Sequence, residues 1–514
     1  MPASSSNQQV AKNTLILYVR MLLTMVIGMC TSRIVLNALG FTDQGIYNVV
    51  AGFIGFSTLI TGSISGSINR FITFALGAKK YTEVNLSVQN GITVQCILAL
   101  IVLLAGETIG LWFVANKLVI PEGRELATHI VYQISIANLI LGLLSSTDNA
   151  LIIANEKFNI FAYISIANSL IALVIAFAIK YSHTDRLILY AFLQFLSALA
   201  VRIFYSVYVH WNYPMIKRRF GWNKGLLKPM FTFAGWNSIG TSAAVFRSSG
   251  TSVLLNMFGG PVANTINGIA GSVANLATLF VNDFTSAYSP QITKRYAAGE
   301  YKSLITFLHL CSKFSYCMIA AIAIPLMFNT EVLLKLWLKN IPAGTVVFAR
   351  LIIVFSVIEC VSKPLICAKN ASGNLRNYQI AVGGILLFTL PLTYTFFFIG
   401  LPIYFSYISI IITSVMAFVA RMLMLRGEIP LWSTRIFISS VILRCFFATV
   451  IALTLPTILF FLMPAGMVSA LMQCLVGSLW AAWWLYRVAL NEYERQSVKN
   501  LIRNFLLRIF EKAH

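Results

Sequence analysis

Charge is what this sequence has least of. Of 514 residues only 11% are charged, and acids are scarcer still, at 16 Asp/Glu against 38 Lys/Arg. A soluble domain carries roughly 25% charged residues, so no water-facing surface can be built from so few. Metal-binding patterns are missing as well. The eight cysteines lie in apolar runs without paired ligand spacing and read as small core residues. No Walker motif cradles a nucleotide phosphate, which excludes direct drive by ATP hydrolysis. Long polar loops are absent too. The longest on the sparsely charged side, near 330–345, has no carboxylate pair, which argues against a membrane glycosyltransferase or polymerase.

What the chain has is apolar length. It is 58% hydrophobic with a mean hydropathy of +0.80, and runs near ~20 apolar residues recur throughout. This predicts an all-α integral membrane protein of about 14 transmembrane helices. They are expected at 13–38, 45–76, 87–114, 126–154, 158–180, 187–210, 229–257, 262–290, 304–329, 345–368, 377–399, 402–424, 436–462 and 466–488. The polar start MPASSSNQQVAKN leads into a span too long for a signal-peptide core, so no cleavable signal is expected.

The loops between these spans alternate in charge. One alternate set, with the termini, holds 23 Lys/Arg, including the run Lys217, Arg218, Arg219, Lys224 and Lys228. The opposite set holds six: Lys117, Arg124, Lys180, Arg186, Lys335 and Lys339. The bias places both termini and the basic loops in the cytoplasm. The net charge of +22 is thus topological, and nucleic acid is not expected as a partner; anionic membrane lipid is.

Three ordered matches point to an internal duplication. Ser32–Gly40 (SRIVLNALG) resembles Thr251–Gly259 (TSVLLNMFG). Lys79-Lys80-Tyr81 resembles Lys294-Arg295-Tyr296, and Leu151–Ala154 (LIIA) resembles Leu365–Ala368 (LICA). Their offsets of 219, 215 and 214 equal six spans, which predicts parallel repeats about an axis along the membrane normal. The expected organisation is an N-lobe at 1–210, a basic linker at 211–228 and a C-lobe at 229–424. Two extra helices at 425–490 and a basic tail at 491–514 follow.

Twelve duplicated spans plus two, a long first helix ending at Asn37–Gly40, and the KKY and KRY loops resemble the multidrug/oligosaccharidyl-lipid/polysaccharide (MOP) exporter superfamily. Within it the chain most resembles the polysaccharide transporter branch, the O-antigen-type flippases. The resemblance implies two pseudo-symmetric six-helix lobes in a MATE-like V shape. It implies transport, not enzymatic catalysis, and a bacterial inner-membrane location. The substrate would be an undecaprenyl-diphosphate-linked oligosaccharide carried from the cytoplasmic to the periplasmic leaflet by alternating access. The partners would be that lipid-linked oligosaccharide and polysaccharide polymerase machinery, with the transporter acting as a monomer.

Membrane-embedded charges test this independently. Nine Lys/Arg fall within the expected spans against four acids, Glu107, Asp148, Asp283 and Glu359. An arginine at the bilayer centre costs at least ~2.5–3.5 kcal/mol, so buried examples face a cavity or a partner. Arg33, Arg202, Arg350 and Arg444 lie near span ends and are expected to snorkel, as is Lys313. Glu359 and Lys363, spaced i,i+4, are able to neutralise each other. Arg20, Arg70 and Arg247 lie deeper, in spans that line the cleft of the resembled fold. Their guanidinium forks suit phosphate oxygens.

The stretch Gly62–Phe71 (GSISGSINRF) has two readings. Its small residues flank a cavity that Asn69 and Arg70 face, or Gly62 and Gly66 form a GxxxG packing face. The candidate substrate contacts are therefore Arg20, Asn69, Arg70, Arg247 and Lys363. No metal or organic cofactor is implied. Coupling to H⁺ or Na⁺ would fall on Asp148, Asp283 or Glu359, and Asp148 and Asp283 serve equally as counter-ions to the arginines. The alternative is a MATE-type cation-coupled multidrug exporter. That activity favours carboxylates in the cleft, and the first span has none.

Overall fold

A computed structural model describes residues 3–116, 120, 122–338, 342–463, 466–492 and 494–496. Lys117, Lys339, the side chain of Lys12, and the tail cations Lys499, Arg503, Arg508 and Lys512 lie outside the described residues. So does most of the expected 491–514 tail. Among the described residues every regular element is helical.

The chain opens with one helical run, Ala3–Gly77, broken at Gly40 (φ 77°, ψ 174°) into α1 (3–39) and α2 (41–77). That backbone conformation is open to glycine and strained for any L side chain. There follow α3 (Tyr81–Gly110), α4 (Glu125–Ala154), α5 (Phe158–Tyr181) and α6 (Arg186–Asn212). A second long run, Lys224–Ala297, breaks at Gly260 (φ 66°, ψ −169°) into α7 (224–259) and α8 (261–297). Then come α9 (Tyr301–Leu338), α10 (Thr345–Ser372), α11 (Arg376–Phe398), α12 (Phe405–Gly427), α13 (Thr434–Leu462) and α14 (Met467–Val488).

The duplication is visible in these boundaries. The two glycine breaks are 220 residues apart. The starts of α3/α9, α4/α10, α5/α11 and α6/α12 are offset by 220, 220, 218 and 219. Ser32–Gly40 and Thr251–Gly259 are thus aligned to within a residue. The other two matches are out of register. Lys79 and Lys80 occupy the turn before α3, whereas Lys294 and Arg295 sit inside the last turns of α8. LIIA ends α4, but LICA stops a full turn before the end of α10. The turn that corresponds to Lys79 (φ 57°) is formed by Gly299 (φ 72°).

Eleven described helices are long and apolar enough to cross a membrane, which makes this a multi-pass membrane protein. The expected spans in α2, α7 and α8 are helical but fall outside those eleven. The last two are diluted by WNSIGTSAA and ANTINGIAGSVAN, whose small polar residues lower mean hydropathy without breaking the helix, whereas much of the expected 45–76 span lies outside the described side chains. Large apolar side chains stand exposed on the outer faces, among them Val26, Ile101, Val174, Leu475 and Leu479. Water would not tolerate such a surface, and lipid requires it.

Two compact units divide the chain, residues 13–238 and residues 239–514 together with 1–12. The boundary lies inside α7, because the linker and the first turns of α7 pack on the N-terminal unit. Leu227, Met230 and Ala234 belong to its core with Ile68, Ile72, Val88 and Leu151. A second N-terminal core gathers Val35, Leu39, Val131, Tyr132 and Ile179. Beside it Arg124 ion-pairs with Asp43 and Asp185, and Arg186 donates to the Ala38 carbonyl at 3.0 Å. These bonds clasp the helix ends around Gly40.

In the C-terminal unit Leu255, Ile266, Phe348 and Tyr407 form the corresponding core beside Gly260. Here α14 fits closely against α9, where a Cβ at Gly477 would lie 2.9 Å from Pro325. Glu494, just beyond α14, returns to pair with Lys313 of α9 at 2.9 Å. Lys313 is 1% exposed, so it does not snorkel as expected. An ammonium this deep needs a carboxylate, and Glu494 supplies it.

Candidate functional site

The stretch Gly62–Phe71 lies on α2 and sorts cleanly by face. Ser63 and Ser67 are buried, and the Ser67 hydroxyl donates to the Met230 carbonyl at 2.9 Å. Gly62 and Gly66 point the other way and are exposed. A Cβ at Gly62 would meet nothing within 4 Å, and one at Gly66 would meet only Asn237 Nδ2, at 4.0 Å. The two glycines are therefore not a tight packing face, because packing glycines have backbone or side-chain atoms against the missing Cβ.

Asn69 and Arg70 are half-buried at the next turn. Thr73 donates to Asn69 Oδ1 at 3.3 Å. The Arg70 guanidinium stands over three phenylalanine rings, Phe71 at 4.9 Å, Phe233 at 5.1 Å and Phe74 at 5.4 Å. Arg20, on α1, lies 5.0 Å over the Phe161 ring of α5. Aromatic faces attract a guanidinium electrostatically without neutralising its charge.

Asp148 has acquired partners the spacing did not foretell. It is 3% exposed on α4. Arg202 of α6 donates to it at 2.5 Å, and Arg218 of the linker donates to both its oxygens at 2.8 and 2.6 Å. Arg202 thus does not snorkel; its depth is compensated by a carboxylate. Arg218 also donates to the Ser206 carbonyl at 2.9 Å and hydroxyl at 2.7 Å.

The whole linker is stapled down beside this cluster. Asn85 bonds the Met215 carbonyl and the Lys217 amide, Thr93 bonds both backbone groups of Gly221, and Asn90 accepts from the Asn223 amide. Burial, and after it the neighbouring Tyr208, push the Tyr213 phenol in this segment up to about 12.

In the C-terminal unit four helices converge on a second charged cluster. Arg247 of α7 stands 5.5 Å over the Phe355 ring and reaches Ser414 Oγ at 3.5 Å. It is close enough to feel both Glu359 of α10 and Arg421 of α12. Arg421 lies 3.6 Å from Glu359 Oε1, with the Tyr378 hydroxyl of α11 beside it. Glu359 therefore pairs with Arg421, and among the described residues no ion pair joins it to Lys363. A partner on a facing helix has replaced the one a turn away.

The loop charge pattern places Arg421 among the cytoplasmic cations, but it is 5% exposed inside α12. Lys369 is likewise buried, paired with Glu428. Arg350 donates to the Met327 carbonyl at 2.9 Å, whereas Arg33 and Arg444 are exposed, as snorkelling requires. Asp283 is half-buried on α8. Arg20, Asn69, Arg70 and Asp148 thus lie in the N-terminal unit. Arg247, Asp283, Glu359 and Lys363 lie in the C-terminal unit. Among the described residues no group of three or more His, Cys, Asp and Glu is placed to hold a metal ion.

A family model described as polysaccharide biosynthesis protein matches residues 10–331. No curated protein matches. Among solved structures, a MATE in the bent conformation superposes with a TM-score of 0.71 at 13% identity, covering 84% of this chain and 98% of that one. An outward-facing multidrug resistance MATE family transporter of the MOP superfamily gives 0.69 at 13% identity, covering 82% and 96%. A MOP superfamily transporter from Pyrococcus furiosus, described as having a binding pocket of reverse polarity that suggests a different function, gives 0.67 at 13% identity. It covers 84% of this chain and 98% of its own.

Proposed function

The chain belongs to the polysaccharide biosynthesis protein family, and from that premise we propose that it is a MOP-type transporter that flips a lipid-linked oligosaccharide across the bacterial inner membrane. The cargo is an undecaprenyl-diphosphate-linked glycan, moved from the cytoplasmic to the periplasmic leaflet by alternating access. The observation that carries this reading is Arg70, a guanidinium within about 5 Å of three phenylalanine rings on a helix whose neighbouring glycines are exposed. That setting holds a permanent cation at membrane depth and leaves room beside it. A diphosphate desolvated without fixed cations would face a prohibitive cost, and charge-assisted bonds are the strong kind.

Arg20 and Arg247, each also over an aromatic ring, extend the same chemistry, with Asn69 and Lys363 as further polar contacts. Asp148, Asp283 and Glu359 are the acids to which H⁺ or Na⁺ coupling would fall. The test is surface polysaccharide in cells at matched expression. Arg20→Ala, Arg70→Ala and Arg247→Ala are each expected to abolish it. Arg→Lys restores part, since ammonium keeps charge but loses the bidentate fork. Wild-type glycan in all three alanine variants overturns the reading, and efflux of a cationic dye then tests the multidrug alternative.

A further inference from the structure

The cluster on α7, α10, α11 and α12 has more positive charge than its own carboxylate can balance. Arg247 and Arg421 face one acid, Glu359. Lys363 follows one turn along α10, half-buried and with no hydrogen bond or ion pair among the described residues. Burying a cation without a counter-charge costs several kcal/mol, so two guanidiniums set against one carboxylate are short of an anion.

The geometry at Arg421 says where that anion belongs. The residue is 5% exposed, yet its Nε and Nη1 donate to nothing among the described residues. Glu359 stands at 3.6 Å from Nη1, a Coulombic partner beyond hydrogen-bond distance. Guanidinium N–H groups left unmade in a buried setting are costly, and a charge-assisted bond to an oxyanion would satisfy either of them. Arg247 reaches Ser414 only at the 3.5 Å limit of a hydrogen bond. Beside Glu359, Pro364 in α10 removes the amide that would bond the Cys360 carbonyl, which loosens the helix where Glu359 would have to shift.

We propose that this chamber is a binding site for a small oxyanion, a carboxylate or phosphate group, gripped by Arg421 and flanked by Arg247. Glu359 is the built-in counter-ion that the incoming anion displaces. The inference deepens the flippase reading and rests on it only for the source of the anion, a phosphate of the lipid carrier or the carboxylate of an acidic sugar.

The test uses the purified full-length protein in neutral detergent, without transport. Thermal unfolding is followed against sodium phosphate and, separately, sodium glucuronate, with sodium chloride at equal ionic strength as reference. A saturable rise in Tm is expected with at least one oxyanion, and which one responds separates the two sources. Glu359→Gln removes the competitor, so half-saturation should fall about tenfold. Arg421→Lys should retain a weaker shift and Arg421→Gln none. If Arg421→Gln does not fold, Glu359→Gln still decides, because a purely structural Glu359 gives no reason for tighter binding. No saturable shift in the wild type overturns the proposal. So do a shift that appears only in Glu359→Gln and an unchanged shift in Arg421→Gln. Loss of surface glycan in the Arg70 variants bears on the flippase reading alone.

Discussion

Asp148 is one carboxylate shared by two guanidiniums that come from different places, Arg202 a helix away and Arg218 in the linker. The arginines are each about one-quarter exposed while the acid is buried, so solvent screens the pair only from one side. Asp148→Asn should therefore destabilise the protein by about 1–3 kcal/mol, the range for a buried charged partner left unmade. Adding Arg218→Gln to that variant should recover part of the loss, because the two residues share one interaction. Thermal melts of the single and double variants check both expectations. That Asp148 would need a partner was legible in the sequence, since an acid in an apolar run must face one. The identity of the partner was not. Arg218 lies seventy residues away in a stretch whose density of cations reads as solvated loop, and only the folding back of the linker buries it.

The element most altered by the structure is that linker. Read as composition, 211–228 is a basic connector. As built, residues 215–223 run along α3 under five hydrogen bonds, and Gly221 passes so close that a Cβ there would lie 2.6 Å from Gln89 Cβ. Gly221→Val should lift the segment from α3. The expected readout is faster proteolysis between Lys217 and Lys224 and a loss of about 1–3 kcal/mol, the usual cost of overpacking. Unchanged cleavage would mean the contact is not needed to hold the linker down. The helices themselves were legible almost to their ends, because long apolar runs have little choice in lipid. The register of the repeat was only partly so. The apolar match through Gly40 is constrained by packing and by a positive φ, whereas KKY and KRY are surface residues free to drift along a helix end.

For the whole molecule the charge asymmetry of the loops predicts a definite orientation. A single cysteine placed near Pro342, in a background without the eight native ones, should react with an impermeant reagent added outside intact cells. One near Lys224 should react only after permeabilisation, and the reverse pattern would invert every inside and outside statement made for the arginines. The fold class was legible because composition excluded everything else. The candidate chamber was not, since Arg421 and Glu359 are brought together by helix packing across 62 residues of sequence that carry no local sign of it. The pair between Lys313 and Glu494 has a consequence in time rather than in space. Residue 494 leaves the ribosome long after residue 313 has entered the bilayer, so α9 must wait, with an unneutralised ammonium at its heart, through the synthesis of 181 residues. A chain cut before residue 494 should therefore hold Lys313 without its carboxylate and be degraded faster in cells than one that reaches it, which a pulse-chase of the two checks.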